Sequence, residues 1–144
     1  MDSRLLAYKK VNVNTTNRGK IVVMLYSGAI TFLNKAIIYS GRKDYFNKGK
    51  FINKAQNIID ELNYSLDMKK GKSIAKNLRG IYIFLGKHLT KANISNDSEM
   101  IEKAITILET LKSAFDEIVN NPKYSEAQVV NKQQVAEHAI RRFV

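Results

Sequence analysis

Cysteine and tryptophan are absent, proline occurs once and histidine twice among the 144 residues. Without cysteine there is no disulfide scaffold, no thiolate metal site and no cysteine nucleophile. One proline and seven glycines are sparse punctuation, and no stretch alternates polar and apolar residues with period two, so a sheet is not expected. The two histidines, His88 and His138, have no carboxylate at ligand-like spacing, and the Glu-x-x-His signature of di-iron bundles is missing. Gly71-Lys72-Ser73 has the ending of a phosphate loop but neither the upstream glycine nor a strand before it, so it reads as a turn. No catalytic constellation is legible, and no cofactor or metal is expected.

Negative charge is scarce where it would balance the positive. Residues 1–95 carry 18 Lys and Arg against 5 Asp and Glu, residues 96–120 carry 2 against 6, and residues 121–144 carry 4 against 2, for a net +11. A basic front half attracts acidic polypeptides, nucleic acid or anionic lipid. It is also what a lysine-rich surface looks like when it has no partner. Lys48, Lys50 and Lys54, with Arg42 and Lys43, form a modest cluster without a helix-turn-helix or single-strand-binding motif, so a nucleic-acid partner is not expected. The first residues, MDSRLLAYKK, lack the apolar core of a signal peptide, which points to the cytoplasm.

What the chain does have is helical periodicity. Apolar residues recur at alternating spacings of three and four: Ile52, Ala55, Ile59, Leu62 and Leu66 in one run, led by Tyr45 and interrupted only by Lys48. Ile74, Leu78, Ile81, Leu85, Leu89 and Ala92 form the next, with His88 beside the seam as a hydrogen-bonded core residue. Ile101, Ala104, Leu108, Leu111, Phe115 and Ile118 form the last. Breakers separate the runs at Ser40–Lys43, Asp67–Gly71, Ile94–Asn96 and Asn120–Pro122, and Asp44 and Asp97 stand at N-cap positions. Four helices of about 20–24 residues, each about 30–36 Å long, joined by short loops, predict an all-α, antiparallel up-down-up-down bundle over residues 1–122. The extension 123–144 carries Val135, Ala136, Ala139, Ile140 and Phe143 at helical spacing. It would cover a groove, recruit a partner or stay unstructured.

The run from Val22 to Tyr39, VVMLYSGAITFLNKAIIY, is apolar over about 200° of the helical wheel, twice the arc of an ordinary surface helix. Asn34 and Lys35 lie deep within it, so membrane insertion is not expected. Two neighbouring helices would consume roughly 120–150° of that arc. The remainder needs a cover, from this chain or from a partner helix. Gly28, Gly80 and Gly86 sit inside helices, either for close helix approach or to let a partner helix lie flat.

These residues resemble the FliS family of flagellin-specific export chaperones. The carriers are Ala7-Tyr8, Val13-Asn14-Thr15, Met24-Leu25-Tyr26-Ser27-Gly28-Ala29-Ile30 with Phe32-Leu33, Lys54-Ala55-Gln56-Asn57-Ile58-Ile59 with Glu61-Leu62, Asn77-Leu78, Ile81-Tyr82 and Ala92-Asn93-Ile94. The resemblance covers about residues 6–120. It implies a helical bundle that binds the disordered C-terminal segment of flagellin, delays its polymerisation and presents it for secretion, with export-gate components and other flagellar proteins as further partners. It also implies an N-terminal cap, Tyr8 with Leu5 and Leu6, that yields to the client. On this basis Tyr26, Ile30, Leu33, Ala55, Ile59, Leu78, Ile81 and Tyr82 are the candidate groove residues, some of them necessarily core, since a three-four seam does not separate core from groove. Three features depart from the family pattern. Asn17-Arg18-Gly19 stands where a Ser-Pro pair usually opens the first helix, Ser27 replaces an acid, and the tail beyond Lys123 is long. A basic module for nucleic acid or anionic surfaces and a self-associating bundle are the rival readings.

Overall fold

The computed structural model describes residues 15–120. Four helices fill that span: α1 (Thr15–Gly41), α2 (Tyr45–Tyr64), α3 (Lys72–Ser95) and α4 (Ser98–Asn120). There is no strand among the described residues. The expected N-terminal cap segment, with Tyr8, and the extension 123–144 lie outside the described residues.

The turns act through the predicted residues. After Gly41 the chain takes a positive φ at Lys43, and Asp44 caps α2, its side chain accepting from the Asn47 backbone N–H at 3.2 Å. Asp97 caps α4 in the same way, accepting from the backbone N–H groups of Glu99 and Met100. Asn96 adopts the left-handed conformation that ends α3, and its N–H and that of Asp97 return to the Ala92 carbonyl. Only α2 stops short of its periodic pattern. It ends at Tyr64, where the Ser65 N–H turns back to the carbonyls of Asn63 and Glu61, leaving Leu66 half-buried in the loop.

Short connections force each helix back along its predecessor. Near one end Ser98 Oγ donates to Ser40 Oγ at 3.0 Å, and near the other Gly19 of α1 packs on Val119 of α4, so those two helices run antiparallel. Gln56 of α2 reaches Gly86 and Thr90 of α3, and His88 of α3 donates from Nε2 to the Met100 carbonyl of α4 at 2.8 Å. The order around the bundle is therefore α1–α2–α3–α4, with α1 and α3 diagonal. That is the predicted up-down-up-down arrangement.

The core is the set of predicted seams: Tyr26, Ala29, Leu33 and Ala36 from α1, and Ile52, Ala55, Ile59 and Leu62 from α2. It continues with Leu78, Ile81, Tyr82, Leu85 and Leu89 from α3 and Ile101, Leu108 and Leu111 from α4. Truncating any one of the buried leucines or isoleucines to Ala costs about 2–5 kcal/mol. The polar interruption at Lys48 is not a gap. Its stem fills the seam, buried, while Nζ donates to the Asn93 carbonyl and to Asn96 Oδ1, satisfying the C-terminal end of α3. Tyr45, expected on the seam, is instead 46% exposed with the Lys48 amine against its ring.

One hydrogen bond crosses the core diagonally, joining the Tyr26 and Tyr82 hydroxyls at 2.5 Å. Burial is the main cause that pushes the Tyr26 hydroxyl well above the ordinary tyrosine value, and burial likewise lifts Tyr82 to about 12. Folded-state values above the unfolded value of 10 mean that both protons favour the native state. That contribution is complete below pH 10 and is lost as pH rises from 10 towards 12. Resistance to urea should therefore fall through this window, with absorbance at 295 nm showing delayed tyrosine ionisation. The double variant Tyr26→Phe/Tyr82→Phe should flatten the fall, while losing about 1 kcal/mol at neutral pH for the missing hydrogen bond.

Candidate functional site

The candidate residues divide sharply by exposure. Tyr26, Leu33, Ala55, Ile59, Leu78, Ile81 and Tyr82 are all buried, and only Ile30 is half-buried. The buried seven form the inner seam of the bundle, so in this closed state they support a surface rather than provide one. Tyr82 is the exception in position, because it also forms the floor of a cleft between α2 and α3.

The wide apolar arc of α1 is what made Tyr26, Ile30 and Leu33 candidates for an open groove. By their place on the wheel, Leu25 and Phe32 turn towards α2, while Ile30 and Ile37 turn towards α4. All four pack on the core. The two neighbours consume more of the arc than expected, because α1 is gripped closely on both sides. Gly28 allows this towards α2, where an added Cβ would sit 3.2 Å from Ile58 Cδ1, and Gly19 allows it towards α4, where a Cβ would collide with Val119. Length and apolar composition alone would let α1 cross a membrane, but here its inner face is core. What remains uncovered is Met24, 51% exposed, and Ile38, 53% exposed.

The open surface lies elsewhere. A cleft of about 500 Å³ runs between α2 and α3, with Tyr82, Ile83 and Gly86 and the polar Lys87, Thr90 and Lys91 on the α3 side and Asp60 and Asn63 on the α2 side. Ile83 is 47% exposed beside it. Asn63 Oδ1 is buried there without a hydrogen-bond partner, a state that costs about 1–3 kcal/mol. Nothing lies within 4 Å of a Cβ added at Gly80 or Gly86. Close packing of the described helices therefore explains Gly19 and Gly28 of α1 but not Gly80 and Gly86 of α3. Periodicity could not reveal this cleft, because Asn63, Ile83 and Gly86 all fall off the apolar seam.

A second feature was also illegible in the linear sequence. Basic residues distributed over two helices meet around packed aromatics, with Phe32 and Phe51 tilted at 5.9 Å and Tyr39 stacked on Phe51 at 5.5 Å. No cluster of three or more His, Asp or Glu side chains able to hold a metal occurs among the described residues.

The family model described as "Flagellar protein FliS" matches residues 1–122. The chain belongs to the FliS family. It is 40% identical over 124 residues to the flagellar secretion chaperone FliS of Vibrio cholerae, covering 82% of this chain and 90% of that protein. It is 31% identical to the protein of the same name from Salmonella typhimurium, covering 88% and 97%, and 28% identical to that of Bacillus subtilis, covering 81% and 86%. The match takes in all four helices, the α2–α3 cleft included.

The two kinds of helical glycine should separate in denaturation experiments. Gly80→Ala and Gly86→Ala should each stabilise the chain by about 0.5–1 kcal/mol, since alanine restrains the unfolded backbone and meets open space. Gly19→Ala should destabilise it, because Val119 must move.

Proposed function

We propose that this chain is a non-enzymatic export chaperone of the cytosol that holds the disordered C-terminal segment of flagellin before secretion, with the client laid along the α2–α3 face. Family membership supports the chaperone role, and the relatives carry the name flagellar secretion chaperone. The observation that carries the location is the open cleft over Tyr82 and Ile83.

The chemistry suits an unfolded client. A segment that orders on binding loses conformational entropy, so it needs broad apolar contact rather than one tight pocket. Ile83 supplies apolar area, and Gly86 lets a client backbone approach α3. The buried candidates, Leu78, Ile81, Ala55 and Ile59 among them, hold α2 and α3 at the separation that keeps the cleft open. Tyr8 acts as the displaceable cover, and export-gate components and other flagellar proteins meet the loaded chaperone.

Titrating a peptide that matches flagellin's C-terminal segment into the full chain tests this. Binding should show a negative heat-capacity change and survive an increase in salt from 0.05 to 0.5 M within about threefold, unlike phosphate-driven binding. Ile83→Asp should weaken it at least about tenfold with helicity unchanged, because the cleft loses its exposed apolar contact and client binding would bury a charge there. If Ile83→Asp is silent and Ile30→Asp abolishes binding, the client lies on the α1–α4 side instead.

A further inference from the structure

The outer face of α1 and the adjoining edge of α2 hold an ordered array of cations. Lys54 Nζ lies 5.4 Å from the centroids of both Phe32 and Phe51. Lys35 Nζ lies 5.4 Å from Phe51 and 6.0 Å from Phe32, and Arg42 sits 5.9 Å from the Tyr39 ring. Contact with aromatic faces holds these long side chains in place, which reduces the entropy that an exposed lysine loses when it pairs. No acid neutralises them from their own sequence neighbourhood. Residues 15–59 contain eight Lys and Arg and one acidic residue, Asp44, and Asp44 is engaged in capping α2.

Alongside the cations runs an apolar stripe. Met24 and Ile38, both more than half exposed, are two heptads apart on α1 with Thr31 midway, and Lys35 and Arg42 flank them at the same seven-residue spacing. Two exposed apolar residues on one line of α1, about four turns apart with Thr31 between them and cations alongside, form a track about 21 Å long that fits a helix lying lengthwise against α1. The complementary partner is a helix with apolar residues at the same interval, edged by carboxylates.

We propose that this face is a second docking surface, separate from the α2–α3 cleft, whose occupant is an acidic amphipathic helix of another protein. The charge selects a polyanion, and the geometry selects a helix. The aromatic rings pack on one another and under ammonium groups, so they are not bare platforms for nucleotide bases. A second copy of the chain would bring its own net +11 to the contact. The chaperone could then hold a client and be recognised by another protein at the same time, on different faces.

The probe is a synthetic helical peptide of three heptads with leucine at the seam and glutamate on both flanks, titrated into the full chain in 0.1 M salt. It should bind, and a sequence-scrambled peptide of equal charge should bind at least about tenfold more weakly, because only the ordered peptide presents leucines to Met24 and Ile38. The triple variant Lys35→Glu/Arg42→Glu/Lys54→Glu should lose about tenfold or more, whereas Lys69→Glu/Lys70→Glu/Lys76→Glu, with the same change in net charge, should lose less than about threefold. Met24→Asp/Ile38→Asp should weaken the probe comparably, and Ile83→Asp should not, which separates this face from the cleft. Equal losses in the two triple variants, or equal binding of the scrambled peptide or of single-stranded RNA, would overturn the proposal. So would light scattering in which the chain associates with itself and the first triple variant does not.

Discussion

Everything in this bundle follows from how closely α1 is held. Ala29 and Ala36 stand on its inner face, and Gly19 and Gly28 on the flanks towards α4 and α2, so two neighbouring backbones approach it closely. The middle of the inner face of α3, between Ala75 and Ala92, carries Leu78, Ile81, Tyr82, Leu85 and Leu89, and α3 packs less closely on both of its neighbours than α1 does. Interaxial distance is set by side-chain size at the contact, and here it differs between the two sides of one ring. A tight pair of seams around α1 and a looser pair around α3 leave the cleft on the α2–α3 side.

Polar groups reinforce that asymmetry. The Tyr26–Tyr82 hydrogen bond joins the two diagonal helices across the core, where a neutral buried pair is stabilising only while both hydroxyls keep their protons. Lys48 joins the start of α2 to the end of α3, its charge meeting carbonyl oxygens at a helix C-terminus, although burial lowers its pKa. Gln56 spans the α2–α3 seam further along, donating to the Gly86 carbonyl and the Thr90 hydroxyl. Towards the end of α2 that sequence of cross-links stops, and there Asn63 Oδ1 lacks a partner.

Two faces with different physics result. The cleft offers apolar surface, which suits an unfolded segment whose contacts must be broad and tolerant of salt. The α1–α2 edge offers positioned cations beside the exposed Met24 and Ile38, which suits a preformed helix of opposite charge.

Sequence alone determined the four helices, the capping aspartates, the short loops and hence the antiparallel order, because each depends on local chemistry or on a period that one helix displays by itself. It also carried the family resemblance. Which apolar residues are core and which are surface was decided only by tertiary structure. The seam positions Tyr26, Leu33, Ala55 and Ile59 look the same whether a neighbouring helix or a partner covers them, since periodicity reports direction and not distance. Ile83, Asn63 and Gly86 carry no periodic signal, and Phe32, Lys35, Phe51 and Lys54 come from two helices that must pack before the cations and rings meet. A helix's own sequence sets the faces that it presents; the separation of its neighbours sets which of those faces is left open.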